Sequence, residues 1–250
     1  MSTLGATAAQ RPTSLHRALF QSIGDDSRPA QVERRLAQAI MVGVLRAGER
    51  LPSENELAQA FGVSATTIRE ALTALRGREL IVTVRGRRGG SYVHDSADPI
   101  VFARRALQDT TLVALRDLGA HHATIAAGCA RLAARRAGEA EAQALRERLS
   151  GLSEEDLGAW RRGLDELLVE IAALGQSPRL TRELMQRQLE LSPYLRLLDA
   201  EEPARREQRE ALAGLLEAIG EGDGHTAAER CEQLVRDAVE RLVRLRGRSR

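Results

Sequence analysis

Lysine is absent from this 250-residue sequence; all 37 basic side chains are arginine. Schiff-base chemistry through a lysine amine, which pyridoxal phosphate enzymes require, is thereby excluded. Aromatic residues make up only 2% of the chain, too few for the stacking platforms on which single-stranded nucleic acids are bound. The two cysteines, Cys129 and Cys231, stand apart in helical patterns with no CxxC spacing. They read as small core residues in a reducing compartment. No secretory h-region and no long apolar span occurs, which predicts a cytoplasmic, nucleoid-associated protein without a membrane partner. Histidine is scarce: His16, His94, His121, His122 and His225 leave the stretch between Ala123 and Gly224 without an imidazole. No nucleophile stands beside a base and no glycine-rich phosphate loop is found, so no catalytic residue, cofactor or metal site is expected. The formal net charge is only +2, but the basic character is local, with eleven arginines against seven acids between Arg28 and Asp95.

What is present is a punctuated stretch from Leu51 to Leu72. Ser53 followed by Glu56 is a reciprocal capping box at a helix start. Leu57, Ala58 and Phe61 form a short apolar face, and Gly62 can take the left-handed conformation that ends a helix. Ser64 caps again almost at once, and Ile68, Ala71, Leu72 and Leu75 recur at helical spacing. Two short helices joined by a tight glycine turn predict a helix-turn-helix, whose second helix lies in a DNA major groove. An ordinary helical hairpin is the bland reading. Against it, Leu80 to Val84 is β-branched, Arg85-Gly86-Arg87-Arg88-Gly89-Gly90 is a basic turn, and Ser91 to Val93 makes a return strand. A solvated basic loop would be the ordinary reading of that turn alone; directly behind two such helices it predicts a wing.

On these residues the stretch from Gly48 to Val93 resembles the winged-helix head of the GntR family of bacterial transcription regulators, with Gln31 to Val44 as the helix behind it. The resemblance implies DNA contacts from Ser53, Asn55, Ser64, Ala65, Thr66, Thr67 and Arg69, and from Arg85, Gly86, Arg87 and Arg88 in the wing. Acyl-responsive relatives carry arginine at the positions of Asn55 and Ala65. Ala65 offers only a methyl group, so the operator should differ from theirs.

From Ile100 to Leu245 the periods are helical throughout, broken by Gly and Pro, and predict an antiparallel bundle of six or seven helices. The phrases LRDLGAHHATIAAGCARLAARRA, LDELLVEIAALGQSPRL and LLEAIGEGDGHTAAERCEQLV resemble the FCD effector domain of the FadR subfamily. Such domains commonly hold a divalent metal through one Asp and three His. Here Asp165 matches the Asp, while the three His positions fall on Val169, Leu212 and Leu234, so the resemblance implies a site without metal. An arginine often present on the first long helix falls near His122. Two readings stay open: a greasy pocket of His122, Asp165, Val169, Leu212 and Leu234 for an apolar or amphipathic effector, or leucines that simply fill the core of a dimerisation scaffold. Asp165 reads equally as a partly exposed helix residue paired with Arg161 or Arg162.

The expected fold is mostly α: a mobile arm (1–29), a winged helix-turn-helix domain with a small β wing (30–95), a linker and first helix (96–110), and an all-helical antiparallel FCD-like bundle (111–246). The expected function is that of a homodimeric, metabolite-responsive repressor on a palindromic double-stranded DNA operator. A helical ligand carrier or enzyme with a vestigial DNA-binding head is the alternative.

Overall fold

Helix α1 (Arg28–Met41) opens the fold, with Pro29 in its first turn, where a missing amide proton costs nothing. The computed structural model describes residues 28–86, 89–95 and 98–248. The expected arm, with its short amphipathic piece at Leu15, Leu19 and Ile23, lies outside them apart from Arg28 and Pro29, as do wing residues Arg87 and Arg88. Helix α1 starts and ends three residues earlier than Gln31 to Val44, and it buries Val32, Leu36 and Ile40. Helix α2 (Glu54–Phe61) begins at the capping box: the Glu56 amide donates to Ser53 Oγ at 3.3 Å, and the Ser53 amide donates to Glu56 Oε2 at 2.8 Å. It ends at Gly62, whose φ of 67° is left-handed. Helix α3 (Ala65–Gly77) is capped by Ser64, whose Oγ accepts from the Thr67 amide at 3.2 Å.

The wing follows. Strand β1 (Ile81–Val84) pairs antiparallel with β2 (Gly90–Val93), Ile81 facing Val93 and Val84 facing Gly90. Leu36, Ile40, Leu57, Phe61, Ile68, Leu75 and Leu80 close around one another as the head's core. Each such buried side chain contributes about 1.5–3 kcal/mol relative to exposure.

Helix α4 (Pro99–Asp109) is capped by Asp98, which accepts from the Ile100 amide at 2.8 Å. The sequence boundaries make 96–110 a linker and first helix. The helix buries Ala103 and Leu107 in the core of the second domain while Phe102 packs against the head, so it belongs to both. Behind it come α5 (Leu112–Arg136), α6 (Glu139–Ser150), α7 (Leu157–Leu174), α8 (Pro178–Leu195), α9 (Glu202–Gly220) and α10 (Gly224–Arg248). Helices α5 and α10, each of 25 residues, form the most extensive contact. Gly119 permits it: a Cβ there would stand 2.6 Å from Val239 Cγ2. Trp160, Leu215, Ile219 and Leu242 are fully enclosed, and the Arg209 guanidinium lies 4.8 Å over the Trp160 ring, a cation–π contact.

Both cysteines are free and buried in this core, their thiols pushed up by burial to about 11 for Cys129 and about 12 for Cys231. They are packing residues and poor nucleophiles. No helix among the described residues is long and apolar enough to cross a membrane. Head and body meet where Val42, just past α1, is enclosed by Val169 of α7 and Leu189 of α8.

Candidate nucleic-acid interface and effector cavity

Burial of Ile68, Leu72 and Leu75 against the head's core turns the other face of α3 outward, exposing Thr66, Arg69, Glu70 and Thr73. Arg69 is not idle there. Its Nε sits 2.7 Å from Glu54 Oε2 on α2, both groups solvent-exposed. A pair of this kind contributes little to stability, so it holds the guanidinium in place without fixing it. Ser53 and Ser64 spend their hydroxyls on the two helix caps, and Ser64 Oγ also lies 2.9 Å from Thr67 Oγ1. They set the helix starts. Asn55 is exposed, Ala65 and Thr67 half-buried, and Arg85 and Gly86 exposed at the wing tip.

Two positioning residues escaped the sequence reading. Arg50 forms a β-bridge with Tyr92, and its Nη2 donates to the Gly89 carbonyl at 2.9 Å. Arg76 donates to Thr73 at 2.8 Å and to Thr83 of β1 at 2.9 Å. Arg76 ties the wing to α3, and Arg50 ties it to the segment before α2. Their side chains act across tertiary contacts, and the segment around Arg50 is too short to score as a strand.

Inside the body, α7 and α8 build a buried polar network. Asp165 is 1% exposed, which overturns the partly exposed alternative. It accepts from Arg161 Nε at 3.0 Å, from Gln188 Nε2 at 2.6 Å and from the Ser192 hydroxyl. Arg161 Nη1 reaches Asp199 Oδ1 and Gln208 Oε1, each at 3.4 Å. Burial opposes the Arg161 charge, but the carboxylates of Asp165 and Asp199 more than offset it and hold its pKa above the ordinary value.

A small cavity of about 40 Å³ adjoins this network, lined by His122, Arg161, Gln188 and Gln208 and by leucines that include Leu212 and Leu234. Three of the expected pocket residues are therefore placed at or against one another. His122, Leu212 and Leu234 face the cavity. Asp165 stands behind Arg161, and Val169 points away from it into the head–body seam beside Val42. Val169 as a pocket wall is thus corrected: the side of α7 on which it lies is covered by the head. His121, one residue from His122, is exposed and 3.6 Å from Glu183.

The family's metal does not fit these residues. Asp165 is saturated by three donors, and the remaining positions are aliphatic. Among the described residues no group of three His, Cys, Asp or Glu could hold an ion. Dialysis against chelator is expected to leave the melting temperature unchanged, because only a ligand bound to the native state is lost with a fall in stability. A fall on chelation, restored by zinc, nickel or manganese, would reverse that assignment.

Comparison with known proteins agrees with this division. Residues 29–93 match the family described as bacterial regulatory proteins, gntR family, and residues 117–237 match the FCD domain. The HTH-type transcriptional regulator RmpR of Mycobacterium gastri is 36% identical over 171 residues, which is 68% of this chain and 62% of that protein. The Glc operon transcriptional activator of Escherichia coli K12 is 43% identical over 65 residues, 25% of this chain and 26% of its own. The HTH-type transcriptional repressor NanR of Salmonella newport is 35% identical over 102 residues, 40% of this chain and 39% of its own. The chain thus spans less than two thirds of the length of these relatives. Among solved structures, E. coli McbR/YncC aligns over 87% of this chain and 98% of its own, with a TM-score of 0.48 and 21% identity. These relatives carry the names of regulators, not of enzymes. With a gntR-type head and an FCD domain joined in one chain, the protein belongs to the GntR family of bacterial regulatory proteins.

Proposed function

We propose that the protein is a transcription regulator that binds double-stranded DNA as a homodimer at a palindromic operator and answers to a small amphipathic molecule taken into the body. The exposed face of α3 beside a fixed wing carries this reading. It presents hydroxyls and a guanidinium to a major groove, while the basic turn supplies phosphate contacts. Two-fold symmetry of a dimer would be mirrored in the operator, and occupancy of that operator is all that repression requires.

The effector side rests on the cavity of His122, Leu212 and Leu234. At about 40 Å³ it has room for no more than a few water molecules. An acyl or aromatic ligand must displace its apolar walls, and this is how occupancy would favour a different arrangement of the body and release DNA. Apolar burial, at roughly 25 cal/mol per Å², would supply most of its affinity.

Selection of binding sites from random duplexes, followed by footprinting, tests the DNA reading. Arg69→Ala is expected to weaken specific binding by about 1–3 kcal/mol while leaving the assembly state intact. Affinity unchanged in a folded variant would move the groove contact elsewhere. A screen of acyl, aromatic and small dicarboxylate ligands by thermal shift and gel shift tests the cavity. A dicarboxylate that both stabilises the protein and dissociates the duplex would refute the amphipathic reading.

A further inference from the structure

The turn leaving α1 meets the body at a notch walled by two glycines. Gly43 has φ of +73°, and a Cβ there would lie 3.0 Å from Arg162 Nη1 and 3.4 Å from Arg196 Nη2. Gly158, in the first turn of α7, is similarly placed: a Cβ would lie 3.1 Å from Asp156 Oδ1, 3.2 Å from Arg162 Nη1 and 3.8 Å from Arg196 Nη1. Two guanidiniums therefore converge between the head's turn and the start of α7.

Arg196 is 7% exposed, yet its Nε and Nη2 have no hydrogen-bond partner. Unpaired buried donors on a charged group are costly. Burial chiefly, and repulsion from Arg162 in part, lower its pKa, while Asp165 and Asp199 act the other way. Most of the nearby carboxylate oxygens are committed elsewhere. Asp156 Oδ1 caps α7 by accepting from the Gly158 and Ala159 amides at 2.8 and 3.0 Å, and its Oδ2 is 4.0 Å from Arg162 Nη2. Asp165 holds Arg161, Gln188 and Ser192, and Asp199 Oδ1 holds Arg161 and Gln208, while Asp199 Oδ2 is buried without a partner. The N-terminal end of the 18-residue α7 adds partial positive charge at the same spot. Solvent reaches it along Arg162, whose side chain is 28% exposed.

We infer that this notch is a binding site for a small inorganic oxyanion of the phosphate type, held by Arg196 and Arg162 against the Gly43 turn. Guanidinium forks match the geometry of tetrahedral oxyanions and form charge-assisted hydrogen bonds with them. Chloride, a single sphere, offers no pair of separate acceptor atoms to a guanidinium fork and is a poor substitute. Because the wall belongs to the head on one side and to the body on the other, an anion here pins the head's orientation. The site is separate from the cavity of the proposed effector, and its existence does not depend on DNA binding.

The test is thermal unfolding of the full chain in low-millimolar phosphate against chloride at matched ionic strength. The expected result is a rise that follows the logarithm of phosphate concentration above its Kd and reaches about 3 °C at ten times the Kd. Arg196→Met and Arg162→Met should each abolish this logarithmic component. Phosphate also stabilises proteins generally by exclusion from their surface; a rise that is linear in phosphate concentration and as large in both variants as in the wild type would overturn the site. Should Arg196→Met fail to fold, the more exposed Arg162→Met decides in the same assay. Phosphorus NMR titration of the wild type is expected to show one bound phosphate per chain, and no binding there would equally overturn the inference.

Discussion

Asp165→Ala is expected to remove about 3–5 kcal/mol of folding stability, the cost of breaking a buried ion pair by deleting one partner. Three donors lose their acceptor at once: Arg161, Gln188 and Ser192. Arg161, 3% exposed, would keep only its longer contacts to Asp199 and Gln208. The loss should appear as a lower urea midpoint with the slope of the transition unchanged. Asp165→Asn, which retains one acceptor and the shape, should fall between wild type and alanine. A cost for alanine below about 1 kcal/mol would put the residue in the range of surface substitutions and deny the network its structural role.

Acidification should act through His122. Burial pushes its pKa down from 6.5 to about 4, against the opposing influence of a hydrogen bond to the Arg187 backbone. The unfolded chain therefore takes up the proton first. The stability contributed by the neutral imidazole is fully present above pH 6.5, falls as pH drops from there, and is exhausted near pH 4. At about 1.4 kcal/mol per unit, the total is on the order of 3 kcal/mol. In His122→Gln this component is missing. The difference in unfolding free energy between variant and wild type, measured at pH 7 and pH 5, should shift in the variant's favour at the lower pH. Identical slopes in the two proteins would show that the imidazole titrates as a surface group.

The parts of the fold written in local chemistry were legible. Ser53, Glu56, Gly62 and Ser64 act within four residues of themselves, and their caps and turn form as their spacing dictates. The start of α1 lies at Arg28 with Pro29 in its first turn, three residues before Gln31, where the resemblance placed it. What could not be read depends on which element covers which face. Val169 has the periodicity of a core residue, but nothing in α7 says that its cover is Val42 of the head. Arg161 stands one turn before Asp165, so their pairing was among the open readings. Gln188, Ser192 and Asp199 join that pair only through tertiary packing, so the burial of Asp165 was out of reach. Arg50 and Arg76, which fix the wing, bond to residues 39 and 7 positions away and leave no periodic trace.

Helix α8 turns Gln188 and Leu191 toward the cavity and Leu189 toward Val42 of the head. One rigid element thus forms a wall of two compartments. Coupling between binding sites is reciprocal in free energy, so a molecule that moves this wall from the cavity side cannot act in one direction only. Whatever factor it imposes on the affinity for an operator, the operator imposes on the affinity for that molecule. On the proposed function DNA would itself be an effector of the cavity, and a Kd measured on the free protein would differ from the Kd on the occupied promoter by that same factor.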